Sequence, residues 1–236
     1  MWPDQFREHR RRAREKNEGM TTQPAIPDQT LAYIRRREAE ILSPPPRIAA
    51  LDRQSVAAEV QEATRKLRGA LFVDAPLLPL EVIPEIMFVL CKHQPLWDAV
   101  MALSMQLFDN PVLPPRDRQL AILRTGWLLG APYEFGEHVL RSKTEGVTSQ
   151  EIDAIAEQGS AWSGWNDHER AILRAAEELR ADVMISDETW ATLAVRYSEA
   201  QLFELCVVIG QFTNVAYFQN ALRVRLEPRN PGLVAR

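Results

Sequence analysis

Prolines and glycines decide most of what this chain can fold into. In the run PVLPPRDRQLAILRTGWLLGAPYEFGEHVLRSKTEG, residues 111–146, Pro114 and Pro115 precede a stretch of helix formers and Gly130 closes it. Pro132 then opens a second stretch that Gly146 ends. Proline suits the first turn of a helix, where its missing N–H has no partner to lose, and glycine suits the residue beyond the last turn, where φ becomes positive. The spacing predicts a tight helical hairpin, 115–129 and 132–145.

The rest of the chain carries the same kind of signal. Residues 29–42 and 54–68 are rich in Ala, Glu, Gln, Arg and Leu, and SPPPR at 43–47 separates them. Pro76, Pro79 and Pro84 punctuate the next segment. A helix over 95–108 follows, with Leu96, Val100, Leu103 and Leu107 at helical spacing. Thr148 with Glu151 and Ser198 with Gln201 fit the capping box, and Asn166 with Glu169 is a looser version. The last helix, expected over 199–227, is apolar around so much of its circumference that it belongs at the centre or at an interface. Strand-like alternation, a Gly-rich phosphate loop and an internal repeat are all absent from the sequence. The expected fold class is all-α. Residues 1–27 read as a flexible basic arm with five Arg in positions 7–14, and Met20 is an alternative start. Residues 28–110 read as an N-terminal helical part, 111–228 as the core and 229–236 as a C-terminal tail, with 28–228 one domain.

Composition narrows the function classes. A formal charge of −4 over 236 residues gives no global attraction to nucleic acid or to an anionic membrane. No apolar run reaches the ~18–20 residues of a membrane span, and the chain does not open like a secretory signal. Cys91 and Cys206 sit in separate apolar runs without a CxxC, and they read as reduced, buried thiols of a cytoplasmic protein.

Glu134 and His138 are either an ordinary solvated surface pair, the commoner case at this spacing, or a working acid/base pair. Residues four apart share a helix face, and a carboxylate beside an imidazole sets its tautomer and proton affinity for acid/base work. Trp127, Tyr133 and Phe135 are the expected water-excluding neighbours. Arg124, charged within LAILRTGWLL, needs an anionic partner, either Glu134 across the hairpin or a substrate carboxylate. His93, just before a helix, reads as a capping or satisfied loop residue. Tyr133 could donate to a substrate oxygen, and Asn214 and Asn220 interrupt an apolar helix as amides that either satisfy neighbours or line a pocket. Glu137 and His168 read as solvated. Glu134, His138 and His93 could in principle hold a metal, but no HExxH is present and no metal is expected.

At fold level LPPRDRQLAILRTGWLLGAPYEFGEHVLRSKTEGVTSQEI resembles the carboxymuconolactone decarboxylase-like family, which includes the AhpD-like alkylhydroperoxidases. CKHQPLWDAV and ELCVVIGQFTNVAYFQNAL fit the same resemblance, which spans roughly residues 70–228. It implies an all-helical fold built round a hairpin, assembled as trimers or hexamers. The peroxidase branch carries C-x-x-C-x-x-x-H with an upstream glutamate. Aligning His138 with that histidine puts Ala131 and Glu134 at the two cysteines and Gln119 near the glutamate, so thiol chemistry has no nucleophile here. YEFGEH is instead similar to the Y-E-W-x-x-H pattern of the decarboxylase-like branch. The resemblance implies a cofactor-free lyase acting on a small unsaturated carboxylate or lactone. In it His138 delivers the proton, Glu134 orients it and Arg124 binds the anion, with His93 in reserve. The same groups would serve an isomerase, hydratase or retro-aldol lyase. The alternatives are a stress- or redox-related protein of this fold without thiol peroxidase activity, and a non-catalytic oligomeric binding protein.

Overall fold

The structure, a computed structural model, describes residues 25–69, 79–80 and 83–236. The arm over 1–24, the alternative start at Met20 and the break at Pro76 lie outside the described residues.

Helices follow one another as α1 (Asp28–Leu42), α2 (Ala57–Gly69), α3 (Glu85–Leu90), α4 (Gln94–Asp109), α5 (Pro115–Leu128), α6 (Pro132–Thr144), α7 (Ser149–Glu157), α8 (Asp167–Asp182), α9 (Asp187–Ala194) and α10 (Glu199–Leu222). No strand occurs among the described residues, and the fold is all-α as expected. Pro115 and Pro132 each sit in a helical first turn, and Gly130 turns the hairpin with φ +52°. A side chain at Gly130 would meet the Tyr33 hydroxyl at 2.6 Å and the Arg37 Nε at 2.7 Å, because α1 lies across the turn.

Helix α5 is the centre of the molecule. Its residues 118–127 are buried except Arg124, and it packs on α8, α10 and α6. Leu120, Ile122 and Leu123 join Phe135 of α6, Ile152 and Ile155 of α7, Ile172 and Leu173 of α8, and Leu205 and Val208 of α10 in one core. A smaller core of Val60, Ile83, Met87, Phe88 and Trp97 holds α2, α3 and the start of α4 together.

The capping residues act as the sequence suggests, and at Thr148, Asn166 and Ser198 both halves of the capping box form. Asn166 is therefore a full box rather than a loose one. Helix α9, which the sequence reading did not single out, starts at Ser186, whose hydroxyl accepts from Thr189 N–H.

Several expectations are corrected. On α4 the buried residues are Trp97 and Leu107, while Leu96 and Leu103 are exposed, because this helix serves the small core at one end and the large core at the other. Helix α10 stops at Leu222 rather than 227. Arg223 adopts the left-handed conformation and Val224 N–H closes back on the Gln219 carbonyl. The C-terminal segment is docked rather than loose. Leu233 and Ala235 are buried, Leu233 N–H donates to Glu38, and Asn230 donates to the Tyr133 carbonyl. The segment comes so close to α6 that a Cβ at Gly136 would lie 1.8 Å from Asn230 Oδ1. Cys91 and Cys206 are free, as expected, but half-buried, and burial raises both thiols above their ordinary range.

Candidate active site

Pro132 starts α6 close enough to Glu134 that its carboxylate lies in the first turn, where the helix dipole favours negative charge. One turn later comes His138. Both are buried, Glu134 at 3 % and His138 at 8 % exposure. His138 Nε2 lies 3.1 Å from Glu134 Oε1, yet this oxygen receives no aligned hydrogen bond from any described group. The two groups are close without a directed hydrogen bond between them.

The other ring nitrogen is fixed by a residue the sequence left without a role. His138 Nδ1 and Gln119 Oε1 on α5 are 2.8 Å apart. An amide oxygen can only accept, so Nδ1 carries the proton in this arrangement. The surrounding rings are also different from those expected. Phe212 of α10 meets the imidazole edge-on at 4.9 Å, and Phe108 of α4 stacks near it at 6.1 Å. Trp127 and Phe135 instead pack on each other.

Arg118 is the second residue without a sequence-level role. It is 2 % exposed, and its guanidinium sits 5.0 Å from the Phe108 ring, with Arg141 over the same ring at 3.8 Å. Glu145 lies 3.6 Å away, and Arg118 Nε and Nη1 have no hydrogen-bond partner among the described residues. Burial lowers the proton affinity of this guanidinium from its ordinary value, against the pull of Glu145. An RDRQ sequence at a helix start offers no signal that the second arginine turns inward.

The remaining candidates are not brought to His138. Arg124 is bound to Glu177 of α8, Nε to Oε1 at 2.8 Å, and to the Ile155 carbonyl at 2.6 Å. Its partner is thus neither Glu134 nor a free site, and the anion-binding role has no geometric support. His93 caps α4, accepting from Leu96 N–H at 3.2 Å. Tyr133 donates to Glu227 at 2.6 Å; burial and then the Glu227 charge push its hydroxyl far above the ordinary tyrosine range. Asn214 is exposed to solvent, whereas Asn220 spends its amide on the Leu129 and Gly130 carbonyls.

Two solvated readings are also corrected. Glu137 is half-buried and pairs with Arg229 at 2.7 Å, and burial raises its carboxyl. His168 is buried against Tyr197, 3.5 Å from Asp117. No group of three or more metal-ligating side chains occurs among the described residues, and no helix among them is long and apolar enough to cross a membrane.

The profile of the carboxymuconolactone decarboxylase family matches residues 95–178, from α4 into α8. The match covers 84 of the 236 residues, so it is a family likeness of the central helices, and the sequence there has no redox CxxC. No curated protein matches the chain significantly by sequence. Twelve solved chains match by structure. An uncharacterized peroxidase-related protein with an alkylhydroperoxidase AhpD core, from Ralstonia eutropha JMP134, is 12 % identical with TM-score 0.64, over 78 % of this chain and 94 % of its own. The debrominase Bmp8, as a cysteine-to-alanine variant with 2,3,4-tribromopyrrole, is 18 % identical with TM-score 0.59, over 78 % of this chain and 94 % of its own. A protein of unknown function from Agrobacterium tumefaciens, provisionally linked to antioxidant defence as an AhpD, is 21 % identical with TM-score 0.53, over 58 % and 95 %. At these identities the likeness shows the fold.

Proposed function

We propose that this protein is a cofactor-free acid/base lyase acting on a small unsaturated carboxylate or lactone, with His138 as the proton donor. The observation that carries the reading is the bracketed imidazole. Nδ1 is committed to Gln119, and Nε2 faces Glu134 at 3.1 Å without the alignment that would tie up its proton. Protonated His138 therefore holds one N–H that a substrate carbon can take, in a site where Phe108 and Phe212 exclude water and strengthen charge interactions.

In a decarboxylation the bond from carbon to the carboxylate breaks and its electron pair passes into the conjugated carbonyl. Carbon dioxide leaves, and the Nε2 proton is delivered to carbon. Glu134 stabilises the imidazolium beforehand, and solvent returns the proton afterwards. Arg118, with two unpaired donors beside Phe108, takes over the anion-holding role that Arg124 cannot fill. Ala131 and Glu134 replace the sulfurs of the peroxidase branch, which leaves protons rather than electrons to be moved.

A panel of muconolactones and other unsaturated carboxylates, read by carbon dioxide release and ultraviolet change, tests this. The expected result is turnover of at least one compound that falls by about 10²–10⁴-fold in His138→Ala, the usual contribution of a general acid. Turnover that survives His138→Ala would sink the proposal, as would a full panel without response.

A further inference from the structure

A second place on the molecule has the shape of a ligand site. A cleft of about 630 Å³ opens between α1, the ends of α5 and α10, and the last turn of α8. Its size falls within the range of small-molecule sites. None of Gln119, Glu134 and His138 lines it, so nothing in the acid/base reading bears on it.

The charge in this cleft runs against that of the whole chain. Arg36, Arg37 and Arg180 line it with Glu40 as the one acid, a local excess of two positive charges on a chain of net charge −4. Three helices end here, and carbonyl-rich C-termini attract cations without any ligand. Arg37 answers that demand, donating to the Gly130 and Leu129 carbonyls and pairing with Glu40. Arg180 stands in the last turn of α8, where it offsets the helix dipole, but it and Arg36 spend no donor there. Neither has a hydrogen bond or ion pair among the described residues, and Arg36 only overlies the Tyr33 ring at 5.9 Å.

The walls supply flat and apolar surface. Tyr33 packs on Trp127 from one side, and Tyr217, across the cleft lining, is 60 % exposed. Phosphates and nucleotides bind where helix N-termini converge, whereas C-termini converge here and penalise a polyanion. A ligand with one delocalised negative charge and a planar body fits both features.

We infer that this cleft is a separate binding site for a small aromatic or conjugated carboxylate, held by Arg36 and Arg180 against the two tyrosines. Cinnamate is the probe, with neutral cinnamamide and inorganic phosphate as the comparison arms, titrated into the full chain by calorimetry and by Trp fluorescence. Cinnamate is expected to bind and to perturb Trp127, the tryptophan that touches a cleft wall, so the signal disappears in Trp127→Phe. Binding should weaken about tenfold or more, ~1.4 kcal/mol per tenfold, in the double variant Arg36→Glu/Arg180→Glu, and should weaken in high salt. Both arginines are exposed, so the double variant should stay folded with a slightly lower melting temperature, since Arg180→Glu puts a negative charge in the last turn of α8, and the binding of Arg36→Gln/Arg180→Gln should fall between the two. The same affinity in His138→Ala separates this site from the proposed catalytic one. The inference is overturned by cinnamamide or phosphate binding as tightly as cinnamate, by affinity indifferent to the charge reversal, by loss of binding in His138→Ala, or by no binding at millimolar concentration.

Discussion

Arg118 and Arg124 lie less than two turns apart on α5 and meet opposite surroundings. Arg124 is matched to Glu177 and a carbonyl, whereas Arg118 keeps unpaired donors beside the imidazole's aromatic neighbour. Arg124→Met should therefore destabilise the protein by about 3 kcal/mol, the scale for breaking a largely buried ion pair, as read by urea denaturation. The folded variant should keep its substrate KM. A large rise in KM with unchanged stability would return Arg124 to the site. Gln119→Glu makes the complementary test. It keeps an acceptor oxygen at Nδ1, so turnover should fall less in Gln119→Glu than in Gln119→Leu, which removes that acceptor. The Glu134–His138 contact is readable in sequence because helix geometry fixes four-residue spacing. Gln119, Phe108 and Phe212 are not, since they come from three other helices and carry no local pattern. Arg124 misleads for the same reason, its partner lying 53 residues further on.

Helix starts in this chain are local chemistry, and that is why they are legible. Thr148, Asn166 and Ser198 each find a partner three residues away. What local reading cannot show is that two of these boxes are tied together. Arg116, at the start of α5, pairs with Glu151 at 2.5 Å and with Glu169 at 2.9 Å, so one guanidinium joins the N-termini of α7 and α8 to the hairpin. Arg116→Ala should cost about 2 kcal/mol, between an exposed pair and a buried one. Burial works to raise the Glu151 carboxyl, but Arg116 and the Thr148 bonds outweigh it and hold it below the ordinary value of 4.5. A carboxyl depressed on folding contributes stability above its unfolded value and loses it as pH falls through the folded value. The stability gap between the parent and Glu151→Gln should therefore be constant near neutrality and shrink below about pH 4.5, measured by denaturation at a series of pH values. A gap that stays constant into acid would show that the Arg116 contact contributes little. The face of α4 and the end of α10 escape sequence reading because tertiary partners, not periodicity, decide them. Leu96 and Leu103 have the spacing of core residues, yet Trp97 and Leu107 take the core positions.

At the scale of the molecule, those displaced leucines become an argument about assembly. Leu96, Ala99 and Leu103 fall at i, i+3 and i+7 on α4, and all three are exposed, Leu96 at 59 %. They form one apolar helix face where solvated helices carry charge. The opposite side of α4 supplies Phe108 to the His138 site and is held to α10 by Gln211 and Ser104. We propose a second copy of this chain as its cover, because an apolar helix face can pack on its own image about a two-fold axis. The chain is proposed to form a homo-oligomer through this face, and light scattering coupled to size exclusion should give a mass above the 26.9 kDa of one chain. Leu96→Glu/Leu103→Glu should shift that mass toward the monomer while the helical circular dichroism persists, since neither leucine belongs to a core. Catalysis gives the second readout. Because α4 carries Phe108 against His138, a monomeric variant should lose turnover without any change at Gln119, Glu134 or His138. A parent protein that runs as a monomer overturns the assembly, and a fully active monomeric variant overturns its link to the site.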